Sequence, residues 1–75
     1  MDDKEKLFKE CSLNKKLKHR IWNTYEEEIR NSDLSDDELE ESIVKRERGS
    51  ILGFILLRFA IKIFIRRMIK IIRRR

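Results

Sequence analysis

The chain contains no proline and only two glycines, Gly49 and Gly53, so little in it forces a helix to stop. Its single cysteine, Cys11, and single histidine, His19, exclude an internal disulfide and leave no set of soft ligands for zinc or a metal cluster. No metal and no cofactor is expected. Eight residues apart on one helix, Cys11 and His19 would lie about 12 Å from each other, too far for a thiolate–imidazole pair. Cys11 reads as a small apolar contact and His19, between Lys18 and Arg20, as surface. Also missing are a phosphate-binding glycine loop, a His-Glu-x-x-His helix and a nucleophile elbow. A chain of 75 residues has little room for a cleft that could raise a carboxylate's pKa. Glu26 to Glu28 and Asp36 to Glu38 then read as solvated faces and caps, and the protein as non-enzymatic. The opening Met-Asp-Asp-Lys-Glu-Lys has neither the basic nor the apolar region of a secretory signal. Together with one unpaired thiol, this points to the cytoplasm.

Acid is absent from the last third. Residues 51 to 75 carry Arg58, Lys62, Arg66, Arg67, Lys70, Arg73, Arg74 and Arg75 without one Asp or Glu. Residues 1 to 50 hold 11 basic against 14 acidic side chains, a balance of −3 within an overall +5. Such asymmetry between halves is a composition-level sign of a nucleic-acid or membrane partner, or of an acidic segment shielding a basic one.

What remains is helical patterning, and the fold class expected is all-α. Residues 1 to 12 read as a short helical arm and 13 to 48 as a helical hairpin bearing the acidic segment. After Ser12, Leu13, Leu17, Ile21, Tyr25 and Ile29 recur every four residues with Trp22 beside them, an amphipathic stripe over about 13 to 31. Ser35 followed three residues later by Glu38 forms a capping box, with Leu34 and Leu39 as its hydrophobic staple and Asp36 and Asp37 favoured by the helix dipole. A helix from Asp36 should end in Lys45, Arg46 and Arg48, with Gly49 just past its C-cap. Ser35 before acids and Ser50 after bases also resemble phosphorylation sites, although capping accounts for both.

Ser50 is placed to cap a final cationic amphipathic helix over 51 to 75. At about 100° per residue, Phe54, Ile61, Phe64, Ile65, Met68 and Ile72 share a face with Leu57, Ala60 and Ile71. The eight cations lie mostly opposite, with Phe59, Ile63 and Ile69 intruding on them. The β-branched run Ile61 to Ile65 would also suit a strand.

Four readings of this helix compete. As a single membrane span, Ile51 to Ile72 is long enough but carries five cations, each costing about 2.5 to 3.5 kcal/mol near the bilayer centre. As an interfacial helix it has the required apolar and cationic faces and no acid to repel anionic lipid. As a nucleic-acid binder it would use the Arg and Lys face in salt-sensitive fashion, but only if the apolar face packed on something else. As the closing helix of a bundle it would bury that face against the hairpin, leaving an unusual one-signed charged flank.

The sequence favours a small accessory protein bound peripherally to an anionic membrane. Phe54, Ile61, Phe64, Ile65, Met68 and Ile72 would insert, and the eight cations from Arg58 to Arg75 would meet the lipid. A nucleic-acid partner is the alternative, as is a protein groove that accepts the helix. So thin a hairpin core also predicts self-association or docking on a larger partner.

Overall fold

The computed structural model describes residues 3–49 and 54–74, and side chains from Arg58 onward within the last helix. Its described residues form four helices and no strand: α1 (Asp3–Glu10), α2 (Lys15–Asn31), α3 (Asp36–Arg48) and α4 (Phe54–Arg74). The all-α expectation holds, including the short first helix. The expected helix start at Ile51 and the Ser50 cap lie outside the described residues.

The β-branched run resolves as helix because it is not left to local propensity. Ile61, Phe64, Ile65, Met68, Ile69, Ile71 and Ile72 are all buried. They meet Leu7 of α1, Leu13, the α2 residues Ile21, Trp22, Tyr25 and Ile29, and Leu39 and Ile43 of α3 in one core. Each of the first three helices packs chiefly on α4. That helix is the hub, and packing on several sides outweighs the modest helix penalty of its isoleucines. The bundle reading of the fourth helix is therefore the one the fold adopts. Ile69, expected on the charged face, is 1% exposed, because α3 covers that flank too.

The helix ends agree with the sequence in kind but shift in detail. α2 begins at Lys15 rather than near 13, and its N-cap is Asn14, whose side chain accepts from the Lys16 amide at 2.8 Å. Asparagine caps as well as serine does, and Leu13 is left free to turn into the core ahead of the helix. At α3, the Ser35 hydroxyl accepts from the Glu38 amide at 3.2 Å, as the capping box requires. The Glu38 carboxylate, however, accepts from the Ser35 hydroxyl at 3.0 Å instead of reaching the Ser35 amide. Of the two staple residues, Leu39 is fully buried in the core while Leu34 is 43% exposed. Gly49 is itself the C-cap, with φ −81° and ψ −13°, not a left-handed residue beyond it.

Three buried charges tie the helices together. Lys18 donates from Nζ to the carbonyls of Phe8 and of Cys11, the latter at 3.1 Å, and so satisfies acceptors at the open end of α1. Glu47 accepts from Arg20 and, at 2.6 Å, from the Tyr25 hydroxyl, joining α2 to α3. Burial, reinforced by the Glu47 carboxylate, pushes the Tyr25 phenol up to about 12. Glu40 meets Arg66 of α4, which donates from Nη2 to Oε2 at 3.3 Å. Its Nε lies 3.3 Å from Oε1, near enough for ion pairing but without a hydrogen bond, so Oε1 is buried without one.

Candidate anion-binding surface

The residues expected to insert into lipid are where the structure departs most from the sequence reading. Ile61, Phe64, Ile65 and Met68 are fully buried and Ile72 nearly so. In this fold they form the floor of the core and present no apolar face to a membrane. The side chain of Phe54, the sixth, lies outside the described set. One amphipathic face serves a core or an interface equally well. The deciding term is the partner supplied by α1 to α3, which the stripe on α4 does not itself reveal.

The cations divide into two groups. Arg66, Arg67 and Arg73 are engaged across the bundle: Arg66 with Glu40 as above, Arg67 with Glu10 at 2.7 Å, and Arg73 with Asp36 at 2.6 Å. Arg73 also donates to the backbone carbonyls of Ser32, at 3.2 Å, and of Leu34. It thus holds the α2–α3 turn, where Ser32 is the C-cap of α2. Beside Glu10, the Arg67 guanidinium holds that carboxyl below its usual range. Shielding by the acidic segment is partly realised here, since Asp36 and Glu40 both belong to it.

Arg58, Lys62, Lys70 and Arg74 are exposed and make no ion pair among the described residues. Arg58 stacks over the Phe59 ring, its guanidinium carbon 4.8 Å from the centroid. Arg75 lies outside the described residues. Lys62, Arg66, Lys70 and Arg74 follow each other at intervals of four, which places them in one row along the outer face.

Within this face sit two of the three residues that intrude on the charged side of the sequence pattern, Ile69 being buried. Phe59 is 66% exposed and Ile63 55% exposed. Four residues apart, they are neighbours on the helix surface. At about 100° per residue Phe59 lies opposite Met68 in projection, at the point of α4 furthest from the core. Large side chains so placed bring no core energy, and a cationic border runs along them. In the sequence alone they read as apolar intrusions on the charged face. The signal was there, but its meaning depended on which face the bundle covers.

Among the described residues no helix is long and apolar enough to cross a membrane. The alternative in which residues 51 to 72 span a bilayer gains nothing from the described part of that stretch. Compared with family models, curated proteins and solved structures, the chain matches none.

Proposed function

We propose that the protein is a small non-enzymatic helical module that attaches peripherally to an anionic membrane surface through the outer face of α4. Phe59 and Ile63 are the inserting pair. Arg58, Lys62, Lys70 and Arg74 are the headgroup contacts. The observation that carries this reading is the exposure of two large apolar side chains side by side on α4, flanked by the exposed Arg58, Lys62 and Lys70, which make no ion pair among the described residues. The buried residues Ile61, Phe64, Ile65, Met68 and Ile72 have no part in it beyond holding α4 in place.

The magnitudes suit reversible binding. Burying the accessible portions of Phe59 and Ile63 contributes roughly 1 to 2 kcal/mol each, and each cation near an anionic leaflet about 1 kcal/mol. The total, about 6 to 8 kcal/mol, corresponds to a dissociation constant between about 1 and 40 micromolar. Salt screens the cationic part and leaves the apolar part. A nucleic-acid backbone would reward the same cations without any need for Phe59 and Ile63.

The test is co-sedimentation with anionic and neutral liposomes at two salt concentrations, with duplex DNA in a parallel set. Binding to anionic vesicles should weaken but persist at the higher salt. Changing Phe59 and Ile63 together to Ser should remove the persistent part while leaving the helical circular dichroism intact. Vesicle binding unaffected by that double change, or binding to DNA alone that vanishes with salt, would overturn the membrane reading.

A further inference from the structure

Where α1 lies along the C-terminal half of α4, the two helices form a cleft lined by Asp3, Lys6, Arg67, Lys70, Ile71 and Arg74. Four of these six side chains are cations, one from α1 and three from α4, against a single acid. Lys6, Lys70 and Arg74 are exposed and form no ion pair among the described residues. Among the described residues Arg67 is engaged by Glu10, in a pair partly open to solvent on both sides, the kind of surface contact that contributes little and exchanges readily. Ile71, 9% exposed, supplies an apolar floor. Of the other clefts, the one lined by Lys4, Glu5, Phe8, Lys9, Lys15 and His19 also gathers cations, but it offers no arginine plane. Those between α3 and α4 mix Asp37 and Glu40 with Arg66 and Lys62, so opposite charges there already compensate one another.

We propose that this cleft is a binding site for a multiply charged phosphate group, a phosphomonoester or a diphosphate. A single-charge phosphodiester can be served by one or two cations. Four converging from two elements match an anion of two or more charges, and the arginine planes can each donate two hydrogen bonds to its oxygens. On α4, Lys70 lies seven residues beyond Ile63, about 10 Å along the axis. A headgroup held in the cleft would therefore leave Phe59 and Ile63 over the same surface. In its lipid form the inference rests on the membrane reading above; for a free phosphate it stands without it.

The experiment follows backbone amide shifts of the full isotope-labelled chain during titration with inorganic pyrophosphate. It is paired with sedimentation on vesicles carrying either phosphatidic acid, a monoester, or phosphatidylglycerol, a diester, at matched surface potential. Shifts should concentrate near Lys6 and from Arg67 to Arg74, and disappear in the double variant Lys70→Glu with Arg74→Glu. Both side chains are exposed and unpaired, so the fold should survive. Should it not, Lys6→Glu on α1 gives the same test from the other wall. Affinity should fall about 25-fold or more, since each of the two cations lost is worth about fivefold beside an anionic surface.

A preference for phosphatidic acid that the double variant loses identifies a lipid headgroup as the source. Localised pyrophosphate shifts without that preference identify a free phosphate. Shifts spread equally over Lys15, Lys16 and Lys45, or persisting in the variant, overturn the site. Failure to bind any vesicle would defeat the membrane proposal while the pyrophosphate titration still decides the cleft.

Discussion

Tyr25 shows how a single buried group sets the protein's response to pH. Its phenol is 5% exposed, donates to Glu47 at 2.6 Å, and titrates near 12 in place of 10. A folded-state value raised above the unfolded one favours the protonated, folded form. The resulting stability is fully present below pH 10 and is lost as pH rises from 10 through 12. Alkaline unfolding should therefore set in within that window. Tyr25→Phe should remove this component of the pH dependence, as seen by circular dichroism at 222 nm, while leaving Glu47 to Arg20. The sequence identified Tyr25 as core from its spacing, but not Glu47, 22 positions away, because nothing local marks one acid in a charged helix as buried. The same blindness covered Lys18 and Glu40. Phe64 and Ile65 were legible as apolar and misread as to what they meet. Changing either to Ser should cost about 3 to 5 kcal/mol, comparable to a large truncation in a core. In a domain this small that amounts to most of the stability. Chemical denaturation should show global unfolding, not a selective loss of membrane binding.

At the scale of elements, the strongest local signals fixed existence and type, and tertiary contacts moved the ends. Ser35 opens α3 where the capping box placed it, and Ser35→Ala should cost about 1 kcal/mol. α2 starts after its Asn14 cap and not near residue 13, because a buried Leu13 does not have to be helical. The stripe at intervals of four could not distinguish these cases. Gly49 looked like a glycine chosen for a left-handed backbone, yet its φ of −81° is open to any residue. A Cβ there would meet only the Arg46 carbonyl oxygen, at an ordinary 3.9 Å. Gly49→Ala should accordingly be tolerated, and the reduced freedom of the unfolded chain should raise stability by about 0.4 to 1 kcal/mol. A thermal melt that moved down would mean that Gly49 serves a conformation other than the one described.

Taken whole, the molecule turns the apolar face of its longest described helix into its own core and leaves that helix's less regular side to solvent. Charge asymmetry was visible from composition, but which cations remain available was not, since that depends on pairings across 26, 37 and 57 positions of sequence. The partition has a direct experimental consequence. Removing Arg66 leaves the nearly buried Glu40 without its partner, a loss of stability, and removing Arg73 releases the Ser32 and Leu34 carbonyls. Neither variant can report cleanly on binding, whereas Lys62, Lys70 and Arg74 can. The hub position of α4 yields a sharper prediction. Because α1, α2 and α3 each pack chiefly on it, the fragment 1–49 keeps its caps but loses the surface that its apolar stripes cover. Isolated helices of 8, 17 and 13 residues are short enough to be marginal in water. The fragment should show low helicity at 25 °C and no cooperative melt, and should regain both when a peptide of residues 51–75 is added. A fragment that folded alone would show that α2 and α3 hold a core of their own. α4 would then be free to leave the bundle and place Ile61, Phe64, Ile65, Met68 and Ile72 in a membrane.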